Sequence, residues 1–181
     1  MFDPEGPVLG IDPGVSRCGY GAVAGTRGSL RPQVCGVIRT PADDPLPVRL
    51  ANLEHELEAL VRELRPAAMA VERVLFQANV RTAMSVGQAS GLALAVAARA
   101  GVPVTHYSPN EVKLAVVGYG DADKAQVQHM VARVLGLAEP PSPPDAADAL
   151  ALAVCHAWGG ALTDAIAAAV AKADVSRGAA S

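Results

Sequence analysis

The sequence predicts an α/β domain in which helices surround a mixed sheet and the strands come first. Three observations predict it. Short apolar runs of strand length open the chain and recur between longer stretches. Those longer stretches place apolar residues three and four apart, the period of a helix with one buried face. Proline, glycine and capping residues stand at the joints. At 181 residues the chain is long enough to bury a core and is of the size of one domain.

Val8–Asp12 is an apolar run ended by Pro13-Gly14, a strand leading into a turn. Cys18–Ala24 and Val34–Ile38 are β-compatible and separated by a turn-rich segment, so an antiparallel meander is expected. Leu50, Leu53, Leu57, Leu60, Val61 and Leu64 form one helical stripe, with Pro47 in its first turn and Arg65-Pro66 as its stop. Ala68–Glu72 reads as an inner strand whose last residue is an acid. A second helix is expected over Thr82–Ala100, closed by Gly101, and another strand over Val102–Tyr107. Ser108-Pro109-Asn110-Glu111 combines a capping box with proline at the first helical position and opens a short helix. Asp121 or Asp123 caps the next helix, which runs to Leu135 and Gly136. After the Pro-rich connection Ala138–Pro144, Asp145 starts an Ala/Leu helix reaching about Trp158. Residues 1–163 are therefore expected to form one domain, with 164–181 an Ala-rich, flexible tail.

Composition excludes some classes. Hydrophobic residues make up 51% and charged residues 18%, a globular balance rather than a disordered one. No signal peptide is recognisable, and the most apolar regions are too short or too polar to span a bilayer. Three cysteines, Cys18, Cys35 and Cys155, are an odd number without metal-ligand spacing; they read as reduced, semi-buried thiols of a cytoplasmic protein. The formal charge of −3 is not that of a strongly cationic nucleic-acid binder. A sum hides distribution, however, so charge neither supports nor excludes DNA.

Four acids stand out at element ends. Asp12 closes the first strand in Gly10-Ile11-Asp12-Pro13-Gly14, where it either projects from the sheet end or simply starts a turn. Glu72 ends Met69-Ala70-Val71, as a ligand or as a strand-end acid reaching solvent. Asp145 and Asp148 lie three apart on one helix and so share a face. Asp145 after Pro-Pro is also a natural helix cap, and Asp148 completes something close to a capping box. Against that, the helix around Asp148 reads Ala149, Ala151, Leu152, and a carboxylate pair at the mouth of a buried helix is costly without a cation. No phosphate-binding loop or nucleophile elbow is present. His55, His106, His129 and His156 read as packed or solvated residues. A metal would therefore meet oxygen ligands, which suits Mg²⁺ or Mn²⁺ better than zinc.

The ordered motifs resemble the bacterial RuvC family of Holliday junction resolvases. The resemblance runs through Gly10-Ile11-Asp12-Pro13-Gly14 with Arg17-Cys18-Gly19-Tyr20, then Val71-Glu72-Arg73, Asn79 and Gly87-Gln88-Ala89. It continues through Ser108-Pro109, Val112-Lys113, Val117-Gly118, Asp123-Lys124-Ala125-Gln126-Val127 and the closing 145–151 segment, covering about residues 8–157. It implies an RNase H-like fold with a mixed five-stranded sheet flanked by helices, a homodimer, and two-metal hydrolysis of DNA phosphodiester bonds at four-way junctions. The ligands to two Mg²⁺ or Mn²⁺ ions would be Asp12, Glu72, Asp145 and Asp148. Lys113 and Lys124 match residues that contact DNA near the cut, although either also reads as a surface lysine. Arg81 and Arg73 are further phosphate contacts to consider. The resemblance also suggests cooperation with the RuvA–RuvB branch-migration complex.

One position departs from the family. Members commonly carry an aromatic three residues after the strand-four Glu, to stack on an unpaired base; here Leu75 stands there with Phe76 beside it. Phe76 substitutes for it, or a leucine wedge suffices, or Phe76 is a core anchor. In the second helix, Ala83, Gly87, Gly91 and Ala95 form a strip of small side chains. Two glycines inside a helix cost roughly 1 kcal/mol each, so something should approach closely, either the chain's own sheet or a second copy. The resemblance favours the second copy. Two rival functions are an RNA-processing nuclease of the YqgF type and a nucleotide-binding module of the wider RNase H/actin superfamily.

Overall fold

The structure, a computed structural model, describes residues 6–73 and 80–159, except the side chains of 80–82. Leu75, Phe76, the side chain of Arg81 and the tail after Thr163 lie outside the described residues.

Strands β1 (Val8–Asp12), β2 (Arg17–Ala24), β3 (Arg31–Arg39), β4 (Ala68–Glu72) and β5 (Val104–Tyr107) form one sheet in the order β3-β2-β1-β4-β5. β1 pairs antiparallel with β2 and parallel with β4, and β4 pairs parallel with β5, which makes the sheet mixed. Two helices, α1 (Leu46–Leu64) and α2 (Val80–Ala100), pack on one face. α3 (Pro109–Val117), α4 (Lys124–Leu135) and a last helix, α5 (144–159), pack on the other.

The alternation of β-strand side chains sorts the two layers. Leu9, Ile11, Met69 and Val71 point into the core shared with α1 and α2. Ala70, one step out of phase, belongs to the core shared with α4 and α5. α1 presents Leu53, Leu57 and Val61 as its buried stripe and stops at Arg65, which takes a left-handed cap conformation with φ 47° and bonds the Val61 carbonyl just before Pro66. α2 buries Ala89, Ala93, Val96 and Ala97, while Arg99 ties it to α1 through Glu54 at 2.6 Å and Glu58 at 2.8 Å. Its glycines look outward: a Cβ on Gly87 or Gly91 would meet nothing within 4 Å. The small-residue strip is therefore not packed on the chain's own sheet.

Boundaries shift where backbone donors are committed elsewhere. The strand expected from Val102 starts at Val104, because the Val102 N–H bonds Ala97 and Pro103 has none to give. β3 runs from Arg31 to Arg39, well beyond Val34–Ile38, because β2 pairs with it along its length. Cys35 sits on that edge strand and is exposed, not semi-buried as the sequence suggested; Cys18 and Cys155 are buried, and all three thiols are free. Both capping boxes form, Ser108 with Glu111 and Asp123 with Gln126, so Asp123 rather than Asp121 is the cap of α4. No described helix is long and apolar enough to cross a membrane.

Candidate active site

The parity that sends Ile11 and Val71 into one core sends Asp12 and Glu72 to the opposite face, where α5 lies. β1 and β4 are parallel, and their register sets Ile11 beside Val71. One residue further, both carboxylates emerge together at the carboxyl ends of adjacent strands. Ligands of open α/β sheets bind at such ends. Gly19 lies opposite Asp12 on β2 and shares that face.

α5 reaches this corner because the strands beneath it have no side chains in its way. A Cβ on Gly10 would lie 2.0 Å from the Ala149 carbonyl oxygen, and one on Gly19 would lie 2.2 Å from that of Asp145. Glycine is required at both places by contact, not by dihedral angle. Ala146, Ala147, Ala149 and Leu150 are buried beneath the helix, and the two acids of its first turns are left partly exposed above the sheet end.

Each helix acid meets a cation of the protein. Arg17, the first residue of β2, donates from Nε to Asp145 Oδ2 at 2.9 Å and also from Nη2 to the same oxygen. Lys124, the first residue of α4, donates from Nζ to Asp148 Oδ2 at 2.5 Å. The Arg17 hydrogen bond holds the Asp145 carboxyl below its ordinary range, against the burial that opposes it. At Lys124 burial alone would lower the pKa. The hydrogen bond and charge of Asp148, with Asp12 and Asp145 beyond it, outweigh that and raise it.

Among the described residues, no cation hydrogen-bonds to Asp12. Burial, the charge and hydrogen bond of Glu72, and the charges of Asp148 and Asp145 push its carboxyl up to about 8. With those neighbours acting on it, the four acids form one electrostatic cluster. A group of carboxylates sharing a corner in this way cannot all ionise without added positive charge.

Divalent cations fit the chemistry of this donor set: hard oxygen ligands, excess negative charge and a buried acid forced to keep its proton. Among the described residues, however, no three His, Cys, Asp or Glu side chains converge closely enough to hold a cation as they stand. Arg17 and Lys124 occupy an oxygen of each helix acid instead.

Beside the cluster opens a cavity of about 220 Å³, rimmed by Glu72, Asp148, Lys113 and Lys124 and floored by Pro109, Val112, Val127, Ala151 and Leu152. Both lysines singled out in the sequence thus reach the same opening, one from α3 and one from α4. Arg73 is half-exposed and lies 3.7 Å from Glu111. Arg17 was not singled out as a site residue by sequence reasoning. Its signal was available: two positions before Gly19, it must share that residue's face. The histidines stay out of the cluster; His156 is buried and contacts the Tyr107 hydroxyl through Nδ1 at 2.9 Å.

Comparison with known proteins gives concordant matches. The family model described as crossover junction endodeoxyribonuclease RuvC matches residues 8–156. A protein of that name from Salinispora arenicola is 56% identical over 92% of this chain and 95% of its own length. One from Thermobifida fusca is 52% identical over 88% of each. Among solved structures, Thermus thermophilus RuvC in complex with a Holliday junction substrate superposes with a TM-score of 0.83 at 38% identity, covering 87% of this chain and 96% of that one. The yeast mitochondrial Holliday junction resolvase shares the fold, with a TM-score of 0.63 at 17% identity over 91% of this chain and 83% of that one.

Proposed function

This chain belongs to the RuvC family of crossover junction endodeoxyribonucleases, and on that premise we propose that Asp12, Glu72, Asp145 and Asp148 hold the two Mg²⁺ or Mn²⁺ ions of its reaction. It is a structure-selective nuclease that resolves Holliday junctions. The observation that carries the site assignment is the seating of α5 on Gly10 and Gly19, which lifts two helix acids over the strand ends that present the other two.

Held by Asp12, Glu72, Asp145 and Asp148, divalent cations would supply the activation of a water and the stabilisation of the leaving 3′ oxygen. The residues do the rest. Asp12 keeps a proton beside Glu72 near neutral pH and must release it for both carboxylates to ligate. Lys113 and Lys124, on the rim of the adjoining cavity, neutralise the phosphates of the entering strand. Four carboxylates balanced by two dications would leave the corner near neutral with the anionic strand in place.

The outward glycine strip of α2 is our candidate for the interface of a homodimer, which would set two sites symmetrically against opposing strands. Leu75 and Phe76 remain candidates for the contact with an unstacked base, and Arg81 for a phosphate contact. We assign the protein to the cytoplasm, in cooperation with the RuvA–RuvB branch-migration complex.

The test is substrate selectivity. A synthetic four-way junction, a linear duplex of the same sequence and an RNA–DNA hybrid are incubated with the protein in Mn²⁺ or Mg²⁺. Symmetrically placed nicks confined to the junction are expected. Preference for the RNA-containing substrate would favour the RNA-processing rival.

A further inference from the structure

Two features of the acidic corner belong together. Its helix acids are held by the protein's own cations, and no three ligating side chains among the described residues converge. At Asp145 both Nε and Nη2 of Arg17 address the same oxygen, Oδ2. A metal ion needs lone pairs on that carboxylate and freedom for it to turn toward its neighbours. A guanidinium held against it opposes both demands, and its positive charge repels the arriving dication.

Arg17 is also placed to leave. Its side chain is 41% exposed, at the start of β2 and beside the helix acids of the corner. A guanidinium binds a phosphate at least as well as a carboxylate, with the same forked geometry.

We infer that Arg17 competes with the divalent cation for Asp145, and that a DNA phosphate takes the guanidinium over, so that metal fills the site tightly only when substrate is present. This rests on the carboxylate assignment proposed above. By linkage, whatever Arg17 subtracts from metal affinity in the free protein is returned when DNA engages it. The lysine that holds Asp148 belongs to the family's expected DNA contacts; Arg17 adds a second cation with a different task, gating the metal.

The test uses the full chain and avoids turnover. Mn²⁺ binding to the DNA-free protein is measured by calorimetry for the wild type, Arg17→Met and Arg17→Lys, and junction binding is measured in EDTA across a salt series. Arg17→Met should bind Mn²⁺ about tenfold more tightly, because a neighbouring positive charge is gone. Arg17→Lys, which keeps the charge, should stay near the wild type. In EDTA, Arg17→Met should bind the junction more weakly, with a salt slope shallower by about one unit, the share of a single phosphate. Unchanged Mn²⁺ affinity would make Arg17 a surface ion pair, and weaker affinity would make it a support for Asp145; either overturns the inference, as does an unchanged salt slope. Asp145→Asn is the separate control: if it binds Mn²⁺ as well as the wild type does, the carboxylate assignment itself fails, whatever Arg17 does.

Discussion

Gly19 of β2 stands directly beneath Asp145 of α5, so closely that a Cβ on the glycine would fall 2.2 Å from the Asp145 carbonyl oxygen and 2.7 Å from its carbonyl carbon. Backbone cannot yield there as a flexible side-chain tip could. Gly19→Ala should therefore lift the start of α5 off the sheet, destabilising the fold by about 1–3 kcal/mol and weakening cleavage as Asp145 moves away from Asp12. Thermal melts and junction-cleavage rates check both. Unaltered stability with full activity would mean that the helix does not need this contact.

A second prediction follows from the acid that keeps its proton. Asp12 titrates at about 8 in the fold against 3.8 for an ordinary aspartate. Between those values the unfolded chain has released a proton that the folded chain retains, so folding binds protons and stability falls as pH rises. Asp145, held low by Arg17, acts in the opposite sense and only below its ordinary range. In EDTA the melting temperature should thus decline from pH 5 to pH 8. Asp12→Asn should flatten the decline, and Mg²⁺ at pH 8 should restore the stability. A melting temperature that rises over this interval without metal would be inconsistent with the acidic cluster.

The rim lysines lead to a third. Lys113 and Lys124 line the cavity next to Glu72 and Asp148, and each is assigned one phosphate. Lys113→Ala and Lys124→Ala should each lower cleavage and make the salt dependence of junction binding shallower by about one unit. Unchanged slopes and rates would return both to the solvated surface.

Assembly gives a fourth. Gly91 faces outward with open space above it, and two α2 helices could meet there backbone to backbone. Gly91→Leu should impair dimer formation at micromolar concentration while leaving the monomer folded, because the added side chain points away from the core. Light scattering decides it. A wild type that is monomeric and still cuts both strands in concert would remove the dimer from the mechanism.

Most of the fold was legible because its signals are local. Ser108 and Asp123 begin helices by bonding backbone three residues on, and Gly101, Gly118 and Gly136 end them with positive φ. The ends of two short apolar runs placed Asp12 and Glu72 at strand ends. Less legible was what depends on distant packing. Whether Asp145 is a cap or a site acid could not be decided from Pro143-Pro144-Asp145, since both readings want an acid there. The structure sends its carboxylate to Arg17, 128 positions away in sequence. The outward direction of Gly87 and Gly91 was equally undecidable, because a small-residue strip suits a sheet beneath or a partner above. Arg17 itself was read only as part of a motif; its parity with Gly19 gives the face it lies on but not its partner.

The most direct measurement is binding and cleavage of one four-way junction by the wild type and Asp145→Asn, each with Mg²⁺ and with EDTA. Removing the charge of Asp145 should abolish cleavage to the level seen in EDTA, because the cations are then short of a ligand. Binding should persist within a few fold, since junction shape and phosphates are read elsewhere. Cleavage by Asp145→Asn at the wild-type rate would leave that residue a helix cap and contradict the four-carboxylate site.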